Sequence, residues 1–167
     1  MLNLLAFYRG DEKDSQGRSF EEMLGWSDEE WEACHDYIQL LFPTRRASNY
    51  NEDAPLLTDD DIEVWKADPI LKENLRRAFY RWLGFLGLEQ GDDYIAFKKD
   101  LTDFQTDLWE GFNHNYLRIT RVLDCLMTVG LTTEASEFYE FLKTRLNKGV
   151  TENTFRYWTE AVEGNIR

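Results

Sequence analysis

The sequence has 167 residues, long enough for one domain with a sizeable core. A hydrophobic fraction of 43% and an aromatic fraction of 15% exclude a disordered chain, despite a net charge of −13. The acidic balance also argues against non-specific nucleic-acid binding and against anionic membrane surfaces, both of which need a surplus of Lys and Arg.

No apolar run approaches the ~18 residues needed to cross a bilayer. The apolar start, Met1 to Phe7, is too short for a signal peptide and lacks a basic region before it. Cys34 and Cys125 are the only cysteines. Each sits in a helical apolar pattern, which reads as buried thiols in a reducing cytosol, although a single bridge between them stays open. A cytoplasmic location is therefore expected.

Helix signals recur along the chain. Ser19-Phe20-Glu21-Glu22 and Ser27-Asp28-Glu29-Glu30 both read as capping boxes. The second opens a predicted helix from Asp28 to Phe42, with Trp31, Cys34, Ile38, Leu41 and Phe42 on one stripe and Pro43 ending it. Residues 43 to 57 are turn-rich and read as a loop. Thr58 caps a short acidic helix, with Asp59, Asp60 and Asp61 at its positive end. Asp68-Pro69 starts a longer helix with the stripe Leu71, Leu75, Ala78, Trp82 and Leu86, closed by Gly87.

Residues 88 to 100 read as a second loop, and no alternating strand pattern is evident. A helix follows around Leu101 to Phe112. The pattern from Asn115 to Val129 is apolar nearly all round, which predicts a central, buried helix closed by Gly130. Thr133 is placed to cap a helix carrying Ala135, Phe138, Leu142 and Leu146. Thr151 caps a last one carrying Phe155, Trp158 and Val162. The expectation is an all-α fold: a single domain over residues 1–167, with seven to eight helices around one aromatic-rich core.

Four strings occur in order: Phe7-Tyr8-Arg9-Gly10, His35 to Pro43 (HDYIQLLFP), Ala54-Pro55-Leu56-Leu57-Thr58, and His114 to Leu123 (HNYLRITRVL). Together they resemble the N-terminal conserved domain of the opioid growth factor receptor family. The resemblance covers roughly residues 7 to 146, and it rests on the second and fourth strings in combination. It implies the family's helical fold. In animal members it implies binding of an opioid pentapeptide growth factor at perinuclear and nuclear membranes. The length suggests a short stand-alone member, bacterial in type, without the long C-terminal region of the animal receptors.

The two histidines, His35 and His114, lie in these two strings. On the predicted helix, Glu32, His35 and Gln39 fall at i, i+3 and i+7 and line one edge of the apolar stripe. They would form either a polar pocket wall or a satisfied core edge. Asn113-His114-Asn115 opens the central helix, and its asparagines would cap free N–H groups or share them with an anion. Arg118 and Arg121 sit on a helix with little polar surface and must be paired when buried. An internal salt bridge and a fork for a ligand carboxylate or phosphate both fit, with Arg9, Arg45 and Arg46 able to join from loops.

Glu32-Ala33-Cys34-His35 is an E-x-x-H, half of a di-iron pattern, but Glu110 and His114 have the wrong spacing for the other half, so no metal and no cofactor is expected. Nucleophile and phosphate-loop signatures are absent from the sequence. The expected function is a non-enzymatic binding or interaction domain for a small anionic ligand, a peptide or a protein. Its candidate ligand-binding residues are Arg9, His35, Gln39, His114, Asn115, Arg118 and Arg121. The alternative is an enzyme with His35 or His114 as general base and arginines stabilising charge.

Overall fold

The structure, a computed structural model, describes residues 2–164. Its contacts divide the chain into two compact units, Met1–Phe79 and Tyr80–Arg167.

The first unit is made of short helices whose ends are fixed by side chains. α1 (Leu4–Arg9) is capped by Asn3, whose side chain accepts from the Ala6 N–H. α2 (Phe20–Leu24) and α3 (Asp28–Ala33) both begin with complete capping boxes, from Ser19 with Glu22 and from Ser27 with Glu30. After α4 (Tyr37–Leu41), the loop 43–57 closes on itself through a Leu57 N–H to Thr44 carbonyl bond of 2.9 Å. α5 (Asp59–Ala67) starts at Thr58 as the sequence requires, and Asp68 accepts from the Ile70 N–H at the start of α6 (Pro69–Phe85).

Large rings fill this unit. Tyr8 lies between Phe20 and Trp65, with centroids 4.6 and 4.5 Å away, and its hydroxyl donates to the Leu41 carbonyl at 2.7 Å. Trp31 packs on Tyr37 and donates its indole N–H to the Met23 carbonyl at 2.8 Å.

The second unit takes the last residues of α6. It continues with β1 (Leu88–Gln90), β2 (Ile95–Phe97), α7 (Asp103–Leu108), α8 (His114–Thr128), α9 (Thr132–Lys143) and α10 (Glu152–Glu163). α8, α9 and α10 pack on one another and β2 lies against α9. Trp158 joins α10 to α8: its ring meets Tyr116 edge-on and its N–H donates to the Tyr116 carbonyl at 3.1 Å. Ile119, Leu123, Leu126, Phe138 and Leu142 are buried.

The structure corrects the expected architecture in several places. Among the described residues there are ten helices, not seven to eight, and an antiparallel hairpin pairs Leu88 with Phe97 and Gln90 with Ile95 where a loop was expected. Strands of three residues are too short to show alternation. The predicted Asp28–Phe42 helix is broken at Cys34, whose backbone is extended (φ −83°, ψ 131°). No Gly or Pro marks that break; it coincides with the capture of Asp36 by Arg18 described below. Thr133 lies inside α9, whose N-cap position is Leu131, without a side-chain cap bond. Leu117 is 49% exposed, so α8 is buried on most of its surface but not all round.

Candidate functional site

In the first unit the sequence-derived candidates sit on different elements with different partners. Arg9, the last residue of α1, directs Nε and Nη2 at Asp68 Oδ2, at 3.2 and 2.8 Å. The hydrogen bonds from Arg9 hold the Asp68 carboxyl below its ordinary range. Arg45 is paired with Asp59 at 3.0 Å on the surface. His35 lies exposed in the bend between α3 and α4. The helix break removes the register that placed Glu32, His35 and Gln39 on one face. Gln39 is buried and satisfied locally: it donates to Ser48 Oγ at 3.2 Å and accepts from Asn51 Nδ2 at 2.8 Å. It thus ties α4 to the loop 43–57.

In the second unit the candidates line the start of α8. Asn113 is the cap: its Oδ1 accepts from the Asn115 N–H at 3.0 Å, and its Nδ2 donates to the Leu108 carbonyl at 2.8 Å. His114, the first residue of α8, is exposed. Asn115 and Arg118 are both buried and are brought together, with Arg118 Nη1 donating to Asn115 Oδ1 at 3.1 Å. Arg121 is half-buried, near enough to Cys125 for its charge to act on the thiol. The capping reading and the buried-arginine reading therefore meet in one polar layer beneath the first turn of α8.

Two apolar residues near the start of α8, Phe112 and Leu117, are exposed. Phe112 is 67% exposed and meets Tyr116 edge-on at 6.0 Å. His114 and the exposed Leu117 are three residues apart, so they share a face of α8. Burial pushes the Tyr116 phenol up to about 12, with the charge of Arg145 opposing.

The most developed polar cluster of the first unit was missed by the sequence reading. Arg18 forms ion pairs with Asp14 at 2.6 Å and with Asp36 at 3.0 Å, and its guanidinium lies 5.7 Å from the centroid of Trp26. Asp36 also accepts from Gln16 Nε2 at 2.9 Å and from the Cys34 thiol at 3.1 Å. Burial alone would raise the Asp36 carboxyl; the hydrogen bonds from Arg18 and Cys34 outweigh it and hold the group below its ordinary value. Burial and then Asp36 push the Cys34 thiol up. Such a thiol is a poor nucleophile, and the cluster reads as a tie between residues 14–18 and the α3–α4 break. Only the i, i+4 spacing of Asp14 and Arg18 was visible in the sequence; Asp36 is a tertiary partner.

Neither cysteine forms a disulfide. Among the described residues no group of three or more His, Cys, Asp and Glu is placed to hold a metal ion. No described helix is long and apolar enough to cross a membrane.

Comparison with known proteins matches the sequence to one family. The family model described as the opioid growth factor receptor (OGFr) conserved region matches residues 1–164. The opioid growth factor receptor of Homo sapiens is 32% identical over 171 residues, covering 95% of this chain and 25% of the receptor. The receptor of Mus musculus is 34% identical over 133 residues, covering 76% of this chain and 21% of the receptor. Opioid growth factor receptor-like protein 1 of Mus musculus is 34% identical over 162 residues, covering 92% of this chain and 33% of that protein. The chain thus spans only a fifth to a third of the length of these relatives. No solved structure matches it. With a family model matched along almost its whole length, the chain belongs to the opioid growth factor receptor family.

Proposed function

We propose that the chain is a non-catalytic binding domain and that its ligand is a peptide, held against the start of α8. The carrying observation is the exposure of Phe112 and Leu117 at the start of α8, where Asn115 and Arg118 are buried and hydrogen-bonded to each other. A buried polar pair fixes the helix start, and rigidly held apolar residues are what a peptide side chain needs. An isolated small anion fits less well, because two of the arginines expected to receive it, Arg9 and Arg45, are already paired with Asp68 and Asp59. The human and mouse relatives are named receptors of an opioid growth factor, which favours a peptide over a metabolite.

The test is a titration of the purified chain with a panel of opioid pentapeptides and their scrambled counterparts, followed by backbone amide NMR. Saturable shifts centred on residues 112–118 are expected, weakened about tenfold or more in the Phe112→Ala, Leu117→Ala double variant. An absence of saturable binding across the panel, or shifts confined to other elements, overturns the reading.

A further inference from the structure

Arg145 lies in the turn after α9, where its side chain folds back over residues 145–148. Nη2 donates to the Lys148 carbonyl at 3.1 Å, and the Lys148 N–H donates to the Arg145 carbonyl at 2.9 Å. The guanidinium lies 5.1 Å from the centroid of Phe97. Nε is enclosed and has no hydrogen-bond partner, and among the described residues Arg145 forms no ion pair with a carboxylate. In a chain with 32 Asp and Glu against 19 Lys and Arg, a half-buried arginine without an acid is unexpected. The stacking on Phe97 offsets part of the desolvation of the cation but satisfies none of its donors.

The surroundings extend towards the start of α8. The Tyr116 hydroxyl reaches the Gly149 carbonyl at 3.5 Å, and Tyr116 carries Phe112 on its edge. Gly149 has φ +99°, and a Cβ there would be driven into the Trp109 carbonyl, so the loop that presents Arg145 is held close against the residues just after α7.

We infer that Arg145 is a carboxylate-binding anchor, which holds an acidic group of an apolar peptide beside the exposed ring of Phe112, itself packed edge-on against the buried Tyr116. This rests on the peptide-binding reading and names the charge that the ligand carries there. The Nη donors not spent on Lys148 are those a carboxylate takes from a guanidinium. Lys148, exposed in the same turn, adds a second positive charge. A carboxylate is favoured over a phosphate because the net charge of −13 opposes a dianion more than a monoanion.

The experiment uses the full chain, with N-acetylphenylalanine, its primary amide and inorganic phosphate as probes. The readout is the Arg145 Nε–H resonance, which enclosure protects from exchange and which is assigned by its loss in Arg145→Lys. The acid is expected to shift that resonance saturably, and the amide to bind about tenfold or more weakly. Arg145→Lys keeps the charge but not the fork, so residual binding of the acid, followed through the Phe112 amide, is expected to fall by a similar factor. Equal response to acid and amide, tighter binding of phosphate than of the acid, or an Arg145→Lys variant that is folded and binds unchanged each overturns the inference. If pentapeptides bind but acid and amide bind alike, the anchor fails and the binding reading stands. If the acid binds at Arg145 and no pentapeptide does, the binding reading fails and the anchor stands.

Discussion

Arg18 in the first unit and Arg145 in the second are both half-buried, and each lies against a ring, Trp26 and Phe97. Arg18 has two carboxylates, Asp14 and Asp36, and Arg145 has none among the described residues. The same residue type in similar burial therefore does two jobs. A guanidinium enclosed by its own chain's acids is a tie, and its donors are used up. One enclosed without them keeps donors for a partner from outside. Both units are filled by large rings; the first adds the Arg18 ion-pair cluster between its short capped helices, whereas the second packs three longer helices.

The largest expected effect tests whether the second unit rests on rings rather than charges. Trp158→Ala should cost about 3–5 kcal/mol in denaturant unfolding, because it empties a fully buried site and removes a hydrogen bond to the Tyr116 carbonyl. A cost below about 1 kcal/mol would show that α10 contributes little to the fold. Next comes Arg18→Met, which fills the same space but leaves the nearly enclosed Asp14 carboxylate without its cation. A loss of about 2–3 kcal/mol is expected by urea unfolding. A neutral result would make the cluster a surface ion pair like any other.

The pH dependence follows from the same cluster. The folded-state carboxyl of Asp36 is held below its unfolded value. Its contribution is therefore fully present above the ordinary carboxylate range and is lost as pH falls through the lower folded value. Stability measured from pH 6 downwards should fall less steeply in Asp36→Asn than in the unaltered chain, and an identical acid limb would remove Asp36 from the account. The smallest expected effect is Arg145→Gln. It loses one turn hydrogen bond and a ring contact but no ion pair, so a stability change below about 1 kcal/mol is expected. A loss as large as that of Arg18→Met would make Arg145 a tie too and end the comparison.

Much of the fold was legible because its signals are local. The capping boxes at Ser19 and Ser27, the caps at Thr58 and Thr151, Pro69 at the start of α6, and Gly130 after α8 all act within a few residues of the groups they satisfy. The stripes of α6 and α8 were read from spacing alone, and Trp82 and Leu123 on them are buried; so are Phe138 of α9 and, on either side of the break at Cys34, Trp31 and Ile38. The family strings were legible as well, and they led to the family. Of the candidate site, Asn113 as a cap and Arg118 as a buried arginine were visible from position in the helix.

What the sequence by itself determined is where the helices with side-chain caps at Ser19, Ser27, Thr58 and Thr151 start and which faces α6 and α8 bury, because caps and apolar periodicity depend on neighbours within one or two turns. Tertiary structure alone showed the break of the pattern from Asp28 to Phe42 at Cys34, which coincides with Arg18 reaching Asp36 across eighteen residues. It also decided that Gln39 is spent on Ser48 and Asn51, and that Arg145 lies over Phe97 without an acid. A side-chain donor is satisfied by whatever the fold brings within about 3 Å of it, and that partner is set by packing between elements, which spacing along the chain does not encode.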